Sequence, residues 1–373
     1  MTTTSWRLGG IEALRGLAAI SVIFYHVSRH VNQAFATPDL VAVFQSGHAG
    51  VDLFFVISGF IILFVHGQDL GQPRRLSHYF SRRVTRVLPL YWIALSTTIA
   101  TTLAAGRRLP DAGSILQSAL LLPVGEPILG VAWTLQYEAV FYVMFALLIL
   151  NRVGGLLLMA GWFVWVAIAA SDTGETGGAI LSGDYVLQFG MGMAAAALVR
   201  WKSLPAPRLL AAGGALTFAT MMVLESFGRL DGYSTLARIA YGVPAAVLVL
   251  GLAGTERQKA LGVPNWLRHL GGASYSLYLF QYVFISVAWQ GWQVLRLGAV
   301  TPAWLCFLVL SAAAIGGGLL IAWGVEKPLL RQMRERRTRR PAPQAPMLAS
   351  TVSATTSTTT TAAPNPSPVW PPI

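Results

Sequence analysis

Charged residues are scarce in this chain of 373 residues, since Asp, Glu, Lys and Arg make up only 11% of it. A soluble domain usually carries about 25% charged residues. In contrast, 54% of the residues here are hydrophobic, and the mean hydropathy is +0.58. This composition argues against a water-soluble globule, a disordered chain and a fibrous protein. It predicts an all-α, polytopic integral membrane helix bundle whose main partner is the lipid bilayer.

Cysteine and the common site signatures are also missing. Cys306 is the single cysteine, so no internal disulfide can form. The six histidines are scattered without metal-ligand spacing, and there is no phosphate-binding or dinucleotide-binding glycine motif. We therefore predict no metal site. The first apolar run, about Ile11 to Val27, contains Glu12 and Arg15 and lacks a cleavage pattern, so we expect a retained helix rather than a signal peptide.

Long apolar stretches are abundant. A helix needs about 20 mostly apolar residues to cross a bilayer. About ten stretches meet this requirement, at 10–28, 49–66, 87–105, 131–150, 154–171, 180–199, 208–226, 236–254, 271–289 and 303–325. The pattern predicts about ten transmembrane helices.

The few charges are unequal, with 27 Lys and Arg against 15 Asp and Glu. The basic residues cluster between apolar runs, which favours the positive-inside rule over nucleic-acid binding. With a cytoplasmic N-terminus, 20 Lys and Arg fall on the cytoplasmic side and 6, including Arg238, on the other. This asymmetry predicts that both termini are cytoplasmic.

The composition changes towards the C-terminus. Residues 331–340 are rich in arginine, and the run Thr351 to Thr361 is rich in Thr, Ser and Ala. We predict a transmembrane domain over 1–330 and, over 331–373, a cytoplasmic tail that is first basic and then disordered. The basic stretch is either a stop-transfer cluster or a contact with anionic headgroups.

Arg15 and His26 are ionisable residues within the first predicted span, where such residues are costly and suggest function. They are eleven residues apart, which is about three helical turns, so both should face one side about 16 Å apart. The alternatives are a snorkelling interfacial arginine and a hydrogen-bonded interior histidine.

Glu138 lies about seven residues into the fourth predicted span, at a depth similar to that of His26. A histidine and a carboxylate in one poorly hydrated cavity suit a general base with its orienting partner. The alternative is a structural buried carboxylate.

The second predicted span begins with Asp52, where a carboxylate can also stabilise the positive end of the helix dipole. Ser58 and Gly59 follow as a small patch that would let another helix approach closely.

Arg82, Arg83 and Arg86 lie in front of the third predicted span, and their spacing brings them to one side of a helix. Guanidinium groups at a helix start suit phosphates. Plain positive-inside topology is the alternative.

Ser274, Tyr278 and Gln281 recur at helical intervals in the ninth predicted span. This polar stripe either lines a cavity or holds helices together. Glu326 ends the tenth span and is expected to pair with an arginine.

These elements together resemble the acyltransferase 3 family of membrane O-acyltransferases. The matching motifs extend over residues 8–330 and are Arg15-x10-His26, Gly50 to Phe60, Arg83-x-x-Arg86, Trp133 to Tyr142, Ser274 to Leu279 and Glu326-Lys327-Pro328. The chain departs from the common pattern at Gln281, where the family commonly has a histidine. A glutamine cannot serve as a base there.

The resemblance implies transfer of an acyl group, usually acetyl, from acyl-CoA to a hydroxyl of a glycan or glycoside at the bacterial cytoplasmic (inner) membrane. CoA phosphates would bind Arg82, Arg83 and Arg86, and His26, assisted by Glu138, would deprotonate the acceptor, with Arg15 on the same face. Eight further residues are expected to line the cavity or contact substrate: Asp52, Ser58, Trp133, Tyr142, Tyr275, Tyr278, Gln281 and Glu326. The alternative function is a glycan or small-solute transporter that uses the intramembrane charges as a proton relay; a membrane scaffold would leave these charges without a role.

Overall fold

The computed structural model describes residues 8–173, 180–201, 203–259 and 261–338, and these ranges contain no strand. The α-helices, numbered in chain order, are α1 (Gly9–Phe35), α2 (Pro38–Phe44), α3 (Gly50–His66), α4 (Leu76–Ala104), α5 (Ala112–Ala119), α6 (Trp133–Leu150), α7 (Arg152–Thr173), α8 (Tyr185–Trp201), α9 (Pro207–Ser226), α10 (Thr235–Gln258), α11 (Asn265–Gly272), α12 (Ser274–Val294), α13 (Ala303–Ile321) and α14 (Lys327–Thr338). The predicted all-α class is confirmed.

Each of the ten predicted spans falls on a helix of the structure. Eight of them lie in helical segments that are long and apolar enough to cross a membrane, and these segments contain α1, α3, α4, α6, α7, α9, α10 and α13. Helix α3 alone has 17 residues, but its segment begins at Pro38. The other two are α8, which has only 17 residues, and α12, whose Ser, Tyr and Gln residues make it less apolar. The count of ten and the cytoplasmic location of both termini stay predictions.

Large apolar side chains cover the outside of the bundle. On α7 and α9, residues such as Leu157, Trp165 and Leu216 are exposed. A soluble protein rarely shows contiguous apolar patches of this extent. Lipid removes the cost of exposing them, so the protein is an integral membrane protein.

Helices α3 and α8 pack with their backbones in contact. A Cβ atom added at Gly192 of α8 would clash with the Val56 carbonyl oxygen of α3, and one added at Gly59 would clash with the Phe189 carbonyl oxygen. Small residues at such crossings allow the close approach that drives helix association in membranes. The predicted role of Gly59 in close helix approach fits this contact.

Two local features lie at the start of α1 and after the end of α13. The Gly10 amide at the start of α1 donates to the Glu256 carboxylate of α10 at 2.8 Å, which satisfies one of the unpaired N–H groups of that helix end. Residues Ala322–Glu326, after α13, form a π-helical turn. Such turns are rare and often mark functional sites.

Two positions differ in placement from the sequence prediction. The predicted domain boundary after residue 330 falls within α14, while the Thr351 to Thr361 run lies outside the described residues. Arg238 was expected among the basic residues outside the membrane, but it lies in the first turn of α10 and is fully buried.

The α3–α8 contact yields a stability prediction. Gly192→Ala should lower the free energy of unfolding by about 1–3 kcal/mol, because the added methyl group forces the backbones apart. Thermal unfolding of the purified protein in detergent measures the change.

Gly161→Ala on α7 is the matched control, since an added Cβ there meets no atom within 4 Å. It should leave the stability unchanged or slightly raise it, because alanine has the higher helix propensity. Equal melting temperatures for the two variants would contradict the close contact.

Candidate active site

A cavity of about 420 Å³ lies among α1, α3, α4, α6, α12 and α14. Nine of the fourteen predicted site residues line it: Arg15, Ser58, Arg82, Arg83, Arg86, Glu138, Tyr142, Tyr275 and Tyr278. The other five, His26, Asp52, Trp133, Gln281 and Glu326, do not.

Basic side chains gather at the end of the cavity where α4 begins, which we call the arginine end. Arg82, Arg83 and Arg86 line it together with His78 and Arg334, which the sequence prediction missed. Arg334 lies in the basic stretch 331–340. Its position in a helix after Pro328 is the signal that could have identified it as a lining residue. The buried Nε of Arg83 has no hydrogen-bond partner among the described residues. An arginine cluster with a free donor suits phosphate groups.

Side chains of opposite charge lie close enough to interact deeper in the bundle. The Ser58 hydroxyl donates to the Glu138 carboxylate at 3.0 Å. Arg15 interacts electrostatically with Glu138 and with Glu326, which accepts a hydrogen bond from Ser276 at 2.5 Å. Each charge is thereby compensated at a depth where an isolated charge would be very costly.

Tyr278 and Thr134 lie at the opposite end of the cavity, close to the start of α6. The Thr134 hydroxyl donates to the Tyr278 oxygen at 3.0 Å, and the Tyr278 hydroxyl donates to the Val131 carbonyl oxygen at 3.1 Å. The arginine end lies where α3 ends and α4 begins, whereas α6 begins beside the start of α3. The end of the cavity at Tyr278 and Thr134 is therefore remote from the arginine end. It lies towards the end of the bundle that carries His26, which we call the histidine end.

His26 lies outside the cavity, and its partner is not the predicted one. Its Nδ1 is 2.8 Å from the hydroxyl of Tyr282, which follows Tyr278 by one turn of α12. Glu138 contacts Ser58 instead. The prediction of a His26–Glu138 pair rested on similar depth, but depth does not determine which neighbour a helix faces.

Asp52 does not line the cavity either. Its carboxylate is fully buried and lies 2.7 Å from the Arg238 guanidinium, while the Gln188 amide donates to it at 2.5 Å. The Arg238 guanidinium also lies over the Tyr185 ring, 4.5 Å from its centroid. This ion pair ties α3 to α10 and α8, so Asp52 has a structural role here rather than a lining role.

The remaining three predicted residues pack beside the cavity. Trp133 contacts the rings of Phe55 and Tyr185, at 6.1 and 5.1 Å between centroids. The buried Gln281 amide donates to the Tyr278 carbonyl oxygen at 2.9 Å. The Glu326 carboxylate, at the end of the π-helical turn, accepts a hydrogen bond from Ser276. In the polar stripe of α12, Ser274 and Tyr278 therefore line the cavity, whereas Gln281 bonds to the backbone of its own helix.

The structure defines a class: an integral membrane protein with an internal cavity suited to an anionic ligand at one end. The chain belongs to the acyltransferase 3 family and is an acyltransferase. The family's model, described as an acyltransferase domain, matches residues 8–323.

Named relatives agree with this membership. The exopolysaccharide production protein ExoZ of Rhizobium meliloti is 32% identical over 308 residues, which are 79% of this chain and 92% of that protein. The peptidoglycan O-acetyltransferase OatA of Listeria monocytogenes is 31% identical over 91 residues, or 24% of this chain and 13% of that protein. The putative peptidoglycan O-acetyltransferase YrhL of Bacillus subtilis is 31% identical over 104 residues, or 27% and 14%. No solved structure matches the chain.

The buried ion pair yields a second stability prediction. Asp52→Leu leaves the Arg238 guanidinium without its counter-charge and should lower the free energy of unfolding by about 3–5 kcal/mol. The double variant Asp52→Leu with Arg238→Met should lose much less than the sum of the single variants. Denaturation in mixed detergent measures this coupling.

The exposed pair Arg331–Glu335, 3.1 Å apart, is the control. Its single variants should change the stability by less than about 1 kcal/mol. Additive losses for the Asp52 and Arg238 variants would contradict the direct pairing.

Proposed function

We propose that this protein transfers an acyl group, usually acetyl, from cytosolic acyl-CoA to a hydroxyl of a glycan or glycoside. The observation that carries the proposal is the cavity itself, which extends from five basic side chains at the arginine end to Tyr278, one helical turn from the partner of His26. Relatives named for exopolysaccharide production and peptidoglycan O-acetylation support a glycan acceptor. Family membership favours an enzyme over the alternative of a transporter.

The donor fits the arginine end. The CoA phosphates would bind Arg82, Arg83 and Arg86, with the free Arg83 Nε as an additional donor. The arm that carries the thioester would extend past Arg15 and along α1 towards His26, which lies about 16 Å further along the helix. This arrangement places the arginine end in the cytoplasm, where acyl-CoA is made, and the histidine end at the opposite side of the bacterial cytoplasmic membrane.

The acceptor reacts at the histidine end. When the His26 Nδ1–H donates to the Tyr282 oxygen, Nε2 keeps a lone pair and can accept the acceptor's hydroxyl proton. The acceptor oxygen then attacks the thioester carbonyl carbon and the C–S bond breaks. The proton passes from His26 to the CoA thiolate, which leaves an ester and free CoA. Tyr282 is thus a positioning residue, in the role expected of Glu138.

The proposed transfer requires the Tyr278–Thr134 pair to separate. In the structure the two side chains are hydrogen-bonded to each other, and both line the cavity. Opening it would let the thioester pass, and closing it would keep free water away from the cavity. Conformational gating of this kind is common in enzymes that exclude water from a reactive intermediate.

The donor site can be tested directly. Arg83→Ala with Arg86→Ala should weaken binding of acetyl-CoA to the purified protein at least about tenfold, because charge-assisted hydrogen bonds to phosphate are lost. Isothermal titration calorimetry in detergent or nanodiscs measures the dissociation constant.

Arg107→Ala with Arg108→Ala is the matched control, since both arginines are exposed and lie outside the cavity. It should leave the dissociation constant unchanged. Equal weakening by both double variants would mean that general charge, and not this site, attracts CoA.

The proposed base can be tested on the same helix. His26→Gln should lower kcat for acetyl transfer about 10²- to 10⁴-fold, without changing the dissociation constant for acetyl-CoA. Transfer of labelled acetyl to oligosaccharides from the cells' own surface polysaccharide measures kcat. Mass spectrometry of surface glycans from cells with and without the protein identifies both acyl group and acceptor.

His30→Gln is the control, because His30 lies one turn further along α1 and packs edge-on against the Trp289 ring. It should leave kcat nearly unchanged. Wild-type transfer by a stably inserted His26→Gln protein would rule out His26 as the base.

A further inference from the structure

A second group of polar and aromatic side chains lies at the histidine end, outside the cavity. Glu225 on α9 is 2.7 Å from the His48 Nε2 and accepts a hydrogen bond from the Tyr241 hydroxyl at 2.5 Å. His48 and Glu225 are both buried. Ionisable groups within a membrane protein are functional by default. The proposed chemistry uses neither of them.

This buried pair supports an aromatic ring at the surface. The ring of Tyr233, which is 41% exposed, stacks on His48 with 4.8 Å between centroids. Its hydroxyl is 2.5 Å from that of Tyr25. Partial burial raises the pKa of the Tyr233 phenol above its ordinary value, so the phenol stays protonated and available for hydrogen bonding. Two contacts hold the ring in place before any ligand arrives, which lowers the entropic cost of binding.

The loop that carries Tyr233 is built close to Glu225. A Cβ atom added at Gly232 would clash with the Glu225 carboxylate, and the Gly232 carbonyl oxygen accepts a hydrogen bond from Arg238. The charged residues beneath the loop therefore determine its position. The contacts with Glu225 and Arg238 therefore fix the position of Tyr233, although Tyr233 lies in a loop.

Tyr233 forms one wall of a groove of about 440 Å³ between this loop and α2. Its polar lining includes Gln45, Glu225, Ser226 and Asp231, and its apolar lining includes Val41 of α2. Amide, hydroxyl and carboxylate groups beside one aromatic face suit a ligand with an apolar ring face and a rim of hydroxyls. A carbohydrate has that form.

The groove is close to the proposed base. The Tyr25 ring, whose hydroxyl contacts Tyr233, is 4.9 Å from the His26 ring and 5.6 Å from the His48 ring, between centroids. A carbohydrate chain in the groove would therefore continue along α1 towards the Nε2 of His26.

From this geometry we propose that the groove between α2 and the loop 228–233 binds the carbohydrate acceptor, with the Tyr233 ring as its platform. This inference rests on the proposed acyl transfer and adds the place where the acceptor is held. The acceptor thus binds apart from the cavity, and the two substrates approach His26 from opposite sides.

The test uses the full-length protein in nanodiscs and oligosaccharides prepared from alkali-treated, de-acylated surface polysaccharide of the producing cells. Tyr233→Ala should raise KM for the oligosaccharide about tenfold and weaken its direct binding by a similar factor, because the stacking face is lost. The acetyl-CoA dissociation constant should stay the same, which also reports an intact fold. Tyr233→Phe keeps the ring and should change KM by no more than about twofold.

Phe227→Ala is the matched control, since Phe227 is an exposed aromatic residue directly after α9 but does not line the groove. It should leave KM unchanged. An unchanged KM in Tyr233→Ala, or an equal rise in Phe227→Ala, would overturn the groove assignment while acyl transfer stands. Oligosaccharide binding that depends on Tyr233 in a protein without transfer activity would instead support the groove and overturn the proposed function.

Discussion

The structure depends on the need to compensate charge inside a lipid-covered bundle. An unpaired ion in this environment costs several kcal/mol, and each buried charge described above has an opposite charge or a hydrogen bond close by. Asp52 and Arg238 tie α3 to α10. Glu138, Glu326 and Arg15 compensate one another around the cavity, and Glu225 with His48 supports the loop at the histidine end. The same contacts hold the helices together and orient the polar groups that chemistry would use.

This constraint produces two polar regions rather than one. The cavity contains the basic residues that suit phosphates, while the histidine end contains His26, Tyr282 and Tyr233. The Tyr278–Thr134 hydrogen bond lies between them. The proposed transfer from a cytosolic donor to an acceptor on the other side of the membrane would need such a division, because an open passage would let ions and solutes leak across.

Most of the charged residues of the cavity could be predicted from the sequence. Arg83 and Arg86 are three residues apart, and helical geometry alone brings them to one side of α4. Arg15 and Glu138 stand out because ionisable residues within apolar runs are rare. Tyr282 gave no comparable signal, since it is one of several aromatic residues in α12, and its importance depends on the distance to His26. Arg238 was misplaced because a basic residue at a helix end usually lies in the headgroup region, and only its counter-charge on α3 allows it to be buried.

The sequence by itself determined the all-α class, the apolar stretches and the positions of the rare charges, because these follow from local composition and from the period of a helix. Only the tertiary structure decided which side chains meet. Glu138 and His26 are predicted at a similar depth, but α6 turns the carboxylate towards Ser58 on α3, whereas α12 brings Tyr282 to the histidine. The rotation of each helix about its axis depends on packing with neighbours that are distant along the chain, such as the close α3–α8 contact at Gly192. No local pattern contains that information.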